Sequence, residues 1–335
     1  MLLILSRQIL NFIISLVALT IFTFGLTHIF PEESNVLVQN QIHSGITSPL
    51  NDSQDSINIL QEYFIYIEQI INGNWGVSSM RGIAIFEEFV TYFPATIELS
   101  LAALLFALVL GVPLGIIAAK NKNSWTDKII VSTTLFGYSM PIFWWAILLI
   151  LFLSLWLGIT PVASRIGFEF DIHPVTGFML IDTLLSEKNY AVEAFYSALH
   201  HLLLPSVVLG TVPLAVITRS TRTAMISILT EDYIRSAKAR GLSVENIIWK
   251  HALRNALIPV VSTLGILIGI LITGSLITEY IFSWPGAGKW MLDAVYRRDF
   301  AVIHGALLSI IGFIITIHLL LDLFSIYLDP KRRRK

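Results

Sequence analysis

The chain has 335 residues, 55% of them hydrophobic and only 13% charged, with a mean hydropathy of +0.74. A soluble domain carries about a quarter charged residues, so the missing charge points to lipid as the solvent. The net charge of −1 gives no overall field for nucleic acid, and the lack of cysteine excludes disulfides, thiolate metal sites and cysteine nucleophiles.

The first apolar run, near residues 9–30, is too long for the core of a secretory signal, and Pro31-Glu32-Glu33 follows it in place of a small-residue cleavage site. It reads as a retained span. A hydrocarbon core ~30 Å thick needs about 20 apolar residues in a helix. Five further segments qualify, near 96–119, 129–157, 202–218, 256–278 and 302–324. The expected fold is therefore an all-α membrane protein, a six-span polytopic helical bundle. The third segment is long enough to tilt or break, with Pro141 marking the place. The fourth is short and holds Pro205, Gly210 and Pro213. Such breakers are tolerated in a membrane where neighbouring helices or a water-lined cavity satisfy the freed backbone.

Loop charge orients the bundle, because basic residues concentrate on the cytoplasmic side. With the N-terminus inside, the inner segments hold Arg7, three lysines between 120 and 128, seven bases between Arg219 and Arg254, and five in the tail. Six bases fall outside. The expectation is a bacterial inner-membrane protein with both termini cytoplasmic. Its parts are an N-terminal span with a long acidic periplasmic loop (1–95), a core of spans (96–325) and a basic tail (326–335). Residues 31–95 carry eight acids against the single base Arg81. Within them Ile57, Leu60, Phe64 and Ile67 recur at helical spacing, which predicts an amphipathic helix along the outer surface. It serves either as a lid on the bundle or as a docking surface.

The inner segment between spans four and five, about 219–259, is far longer than a connector requires. Ala237 to Arg240 are good helix formers, and Gly241 supplies the left-handed position that ends a helix. Ser243 is an N-cap for a second helix, with Glu245 in its first turn, and Pro259 stands where the chain returns to the membrane. This predicts helix, glycine turn, helix. The segment either lies on the anionic inner leaflet or forms a rigid lug that fits a groove on a soluble partner.

The run Asp232-Tyr233-Ile234-Arg235-Ser236-Ala237-Lys238-Ala239-Arg240-Gly241, with His251-Ala252-Leu253-Arg254-Asn255-Ala256-Leu257-Ile258-Pro259, resembles the coupling loop of binding-protein-dependent ABC permeases. It departs from that family's pattern in having Arg235 for the Glu and Ser236 for the first Ala. Three further blocks, 137–145, 173–182 and 278–288, are similar to the B-type dipeptide permeases, as is 73–79.

That resemblance implies the transmembrane domain of a type I ABC importer carrying dipeptides or short peptides. Its partners would be a second homologous permease subunit, two ATP-binding subunits, a periplasmic solute-binding protein and membrane lipid, with no nucleic acid. ATP and Mg would belong to the ATPase subunits and no cofactor to this one. The chain is accordingly read as a transport subunit and not an enzyme, and it has no phosphate-cradling Gly-x-x-x-x-Gly-Lys-Ser/Thr loop. The coupling residues implied are Asp232, Tyr233, Arg235, Ala237, Ala239, Gly241, His251 and Pro259.

Polar or aromatic groups within a span usually face the bundle, which nominates Tyr138, Ser139, Trp144 and Thr218 for the translocation path. His200 and His201 are expected to make interfacial hydrogen bonds rather than bind metal. His304 and His318 read as bundle-facing, and Glu279 and Asp322 as members of structural ion pairs. Other cargoes compatible with the architecture are haem, glutathione, cationic antimicrobial peptides and nickel chelates. An ion-coupled secondary transporter is the alternative class, and it would need charge at the span centres.

Overall fold

The computed structural model describes residues 2–29 and 59–328. The acidic stretch at 31–58, including Ile57, and the basic residues 331–335 lie outside the described residues. The elements are α1 (Leu2–Ile29), α2 (Ile59–Ile71), α3 (Ile85–Lys120), α4 (Trp125–Ser139), α5 (Ile142–Trp156), α6 (Met179–Leu185), α7 (Ala191–Leu229), α8 (Asp232–Ala239), α9 (Val244–Ile281), α10 (Ala287–Arg297) and α11 (Phe300–Leu328). Five of these helices are long and apolar enough to cross a membrane, and the bent pair α4–α5 makes a sixth span.

Helices α3, α7 and α9 have 36, 39 and 38 residues. At 1.5 Å per residue each is about 54–58 Å long, well beyond the ~30 Å hydrocarbon core. Helix α7 is the centre of the bundle, with 61% of its apolar window buried, whereas α1 has 11% and sits at the edge against α11. The fourth segment, the shortest in the sequence reading, is thus the most enclosed. Neither Pro205 nor Pro213 ends α7. Packing by α3 and α9 outweighs the two missing donors, since tertiary contact contributes most of a helix's stability.

The α3–α7 seam is built from small residues. Ala103, Ala107, Gly111, Gly115 and Ala119 recur every fourth position on one face of α3, and all are buried. A Cβ on Gly115 would lie 2.6 Å from Thr221 Cβ and 2.7 Å from the Thr218 carbonyl oxygen, and one on Gly210 would lie 2.7 Å from the Ala103 carbonyl oxygen. Close approach of this kind replaces the hydrophobic driving force that lipid removes. The pairings 103 with 210 and 115 with 218 make the two helices parallel. Helix α9 runs antiparallel to them, with Leu209 packed by Leu271 at one end and Met225 by Ala256 at the other.

Because α3 and α7 are parallel, the chain between them must return across the bundle. It does so through α4 and α5, which meet at 106°. Pro141 lacks a donor and drives the preceding residue out of the helical region, and Met140 is indeed extended at ψ 133°. Helix α4 has 15 residues, about 22 Å, too short to cross alone. The third span is therefore a broken pair. Residues Ile150–Trp156 of α5 are wound as a π-helix.

Helix α2 forms where periodicity predicts it, but its contacts are aromatic and polar. Tyr63 OH lies 2.9 Å from Thr20 Oγ1 and Tyr66 OH donates to Thr23 Oγ1 at 2.8 Å, while Leu60 and Phe64 are exposed. It packs on α1, with its apolar face turned away from the protein.

Gly115→Val places a branched side chain against Thr221 and a backbone carbonyl. We expect a loss of about 1–3 kcal/mol and a lower melting temperature in detergent. Gly25→Val, where a Cβ meets nothing within 4 Å, should leave melting unchanged.

Candidate functional site: coupling helix, central cavity and carboxylate cap

Helix α8 is short and amphipathic. Of its residues only Ile234 and Ala237, at 0% and 3% exposure, are buried. They enter a cluster with Ile116 and Ala119 of α3, Met225 of α7, and Ile247, Ile248, Ala252 and Ala256 of α9. One small helix is thereby seated on the ends of three long ones. Asp232, Tyr233, Arg235, Lys238, Ala239 and Arg240 face outward. Ala237, expected among the outward-facing coupling residues, is a seating residue instead. A period of three places it beside Ile234.

The turn after α8 is a Schellman cap. Gly241 N–H donates to the Lys238 carbonyl at 2.9 Å and Leu242 N–H to the Ala237 carbonyl at 3.3 Å, with Gly241 at φ +78°. Ser243 then caps the next helix, its hydroxyl accepting from Asn246 N–H at 3.4 Å. The sequence predicts this turn correctly, and the second helix it expects is continuous with the span beyond Pro259. Helix α9 runs unbroken from Val244 through a π-helical turn, Ile247–Ala252, to Ile281, with Pro259 in its interior. Asn255 Nδ2 donates to Tyr233 OH at 3.0 Å, tying α9 back to α8. His251 is half-buried within the π turn.

Above this cluster, α4, α7 and Pro259 line an open cavity of about 970 Å³. Tyr138 and Thr218 line it, whereas Ser139 and Trp144 do not. Thr218 turns its hydroxyl to the Leu214 carbonyl at 2.7 Å, and Ser139 does the same to Leu135 at 2.9 Å. Trp144 is exposed on the outer surface of α5. Sequence reasoning missed the cavity's two arginines, Arg219 and Arg222. Arg222 makes a two-pronged pair with Asp127, Nε to Oδ1 at 2.6 Å and Nη2 to Oδ2 at 2.7 Å, pinning the start of α4 to α7. The Ser124-x-x-Asp127 start of α4 was the available signal, since Ser124 caps that helix.

At the opposite end, carboxylates hold the loops. Glu279, fully buried, accepts from Thr96 Oγ1 at 2.7 Å, Gly288 N–H at 2.8 Å and Lys289 N–H at 3.0 Å. The donors are neutral, a hydroxyl of α3 and two N–H groups at the start of α10, so the ion pair expected for Glu279 is replaced by a helix N-terminus and a threonine. A Cβ on Gly286 would fall 2.4 Å from this carboxyl, which accounts for the glycine there. Glu98 accepts from Arg165 Nε at 2.9 Å and from Leu180 N–H at 2.9 Å. Arg165 in turn lies over the buried Trp284 ring, whose Nε1 donates to the Ala95 carbonyl at 2.9 Å.

Asp182 closes the 176–182 turn, accepting from the Thr176 hydroxyl at 2.6 Å, Thr176 N–H at 2.7 Å and Gly177 N–H at 3.0 Å. Burial alone would raise its carboxyl, but these hydrogen bonds outweigh it and hold it below the ordinary aspartate value. His200 Nε2 and His201 Nδ1 each lie against a backbone carbonyl, Ile159 at 2.6 Å and Ser197 at 2.8 Å.

A multi-pass helical bundle with a small helix seated across three of its ends is the architecture of a membrane transport subunit. Residues 111–334 match the binding-protein-dependent transport system inner membrane component family, and the chain belongs to it. It is 43% identical to the di/tripeptide transport system permease protein DppB of Pseudomonas aeruginosa, over 94% of each chain. It is 44% identical to the dipeptide transport system permease protein DppB of Haemophilus influenzae, over 98% of each, and 40% identical to that of Escherichia coli K12, over 95% of each. The blocks at 173–182 and 278–288, which carry the resemblance in sequence, are the Asp182 turn and the Glu279 cap.

Ile234→Ala should loosen the seat of α8 by about 2–4 kcal/mol and raise amide hydrogen exchange across 232–239. Arg235→Ala, on the outward face, should leave that exchange as in the unaltered protein.

Proposed function

We propose that this chain is one of two permease subunits in an ATP-driven importer of dipeptides and short peptides, with its N- and C-termini in the cytoplasm. The observation that carries the proposal is the outward, basic face of α8, seated on α3, α7 and α9 together. A partner that moves α8 moves all three. The 40–44% identity to dipeptide permeases along nearly the whole chain supports the cargo class, and the basic residues flanking α8 support its cytoplasmic placement.

In this reading one of the two ATP-binding subunits docks on Asp232, Tyr233, Arg235, Lys238 and Ala239, and nucleotide and Mg belong to those subunits. Ala237 and Gly241 set the pose of that face. His251 and Pro259 act through α9. A binding protein delivers peptide at the Glu279 end. Closure of the ATPase pair shifts α8 as a body, and the bundle opens outward because the two states contact the partner differently.

Gly241→Val tests the coupling role. No atom lies within 4 Å of the added Cβ, so the cost is the left-handed backbone alone, about 1–2 kcal/mol. The variant should insert and assemble with its ATPases, yet lose most ATP-driven dipeptide uptake. Normal uptake would refute the role assigned to the turn.

The natural absence of cysteine makes orientation directly measurable. Ser243→Cys should react with an impermeant maleimide only in inside-out vesicles, and Lys188→Cys only in intact spheroplasts. The reverse pattern would invert the topology.

A further inference from the structure

We propose that Arg219 receives the C-terminal carboxylate of the translocated peptide in the cavity between α4 and α7, an assignment that rests on the peptide-importer reading above. Two guanidinium groups line that cavity. Arg222 is already committed, since both oxygens of Asp127 are bound to it. Arg219 is exposed, has no carboxylate partner among the described residues, and shares the cavity with no lining Asp or Glu. The side-chain hydroxyls of Tyr138, Ser220, Thr223 and Ser227 also line it, and they make no hydrogen bond among the described residues. An unneutralised guanidinium among free hydroxyl donors is a receptor for a planar anion, which its fork matches with two parallel hydrogen bonds.

The Asp127 pair bears on the choice of ligand. By occupying Arg222 it leaves one cation free, which suits the single carboxylate of a peptide. A phospholipid phosphate offers similar chemistry, but lipid headgroup sites gather clusters of Lys and Arg. The rest of the wall is mostly apolar, with Val131, Leu135 and Ala215, and Thr134 and Thr218 turn their hydroxyls to their own helices, so it suits side chains of varied shape. With no acid on its lining, the cavity has no counter-charge for the peptide's ammonium group. It therefore recognises one end of the cargo and is indifferent to the sequence between.

The test uses the assembled complex in proteoliposomes with one binding protein throughout. The probes are alanyl-phenylalanine and its C-terminal amide. The binding protein's own preference is common to every variant, so it cancels when wild type and Arg219→Gln are compared. The substitution should reduce the preference for free acid over amide roughly tenfold to a hundredfold, the range for a lost hydrogen-bonded charge. Arg219→Lys should keep part of it. Equilibrium binding of both probes to the detergent-purified complex without binding protein should show the same change. An unchanged acid-to-amide ratio overturns the assignment. So does an equal loss for both probes that follows removal of phosphatidylglycerol from the liposomes, which would make Arg219 a headgroup site. Wild-type complex that takes up neither probe with ATP would instead refute the peptide-importer reading itself.

Discussion

The close approach of α3 and α7 is the constraint on which the remaining geometry depends. Lipid chains are as apolar as leucine, so the hydrophobic effect does little to bring two spans together. Contact must come from shape, and here it comes from Ala103, Ala107, Gly111, Gly115 and Ala119 presenting backbone and methyl groups to α7. Once those two helices are parallel and in contact, α4 and α5 have to bring the chain back, α9 packs against both of them, and α8 finds three helix ends at one level.

The two ends of this frame are held by different chemistry. At the α8 end the seat itself is aliphatic, with Ile234 and Ala237 set among methyl-bearing side chains and the Asn255–Tyr233 hydrogen bond at its exposed edge. At the other end buried carboxylates gather backbone N–H groups, a guanidinium and an indole around Glu279, Glu98, Glu88 and Asp299. Aliphatic contacts are non-directional and tolerate small sliding. Hydrogen-bonded carboxylates fix loops in one arrangement, because removing any partner leaves a buried group unsatisfied. The end that carries α8 is thus the adjustable one, and the end that carries the long loops is the rigid one.

Much of this was legible in the chain itself. Hydropathy located the six spans, Pro141 the break in the third, and Gly241 with Ser243 the turn after α8. Each of these rests on chemistry that acts over a few residues. Pro205 and Pro213 were expected to be tolerated, and with Pro259 they sit inside continuous helices, because flanking helices supply the stability that the missing donors withdraw. Misreadings arose where the fold, and not local preference, chose the partners. Ala237 was assigned to the wrong face of α8, since nothing local says which side of an eight-residue helix will meet α3. Glu279 was paired with an imagined cation, because its real partners at Thr96 and Gly288 come together only through the fold. For the Arg222–Asp127 pin, 95 residues apart, the capped start of α4 marked Asp127 but nothing local named Arg222 as its partner.

The unbroken course of α9 gives it the properties of a lever. It begins beside the Ser243 turn and ends at Ile281, two residues past Glu279, with a length of about 57 Å by helical rise. With no joint at Pro259, a tilt of ~10° about its middle would displace each tip by ~5 Å, which is about one helical turn. The stretch with altered winding, Ile247–Ala252, lies at the α8 end and not at mid-span. Any change of pitch is therefore confined to that end, and the remainder of the rod carries displacement through the bilayer without absorbing it.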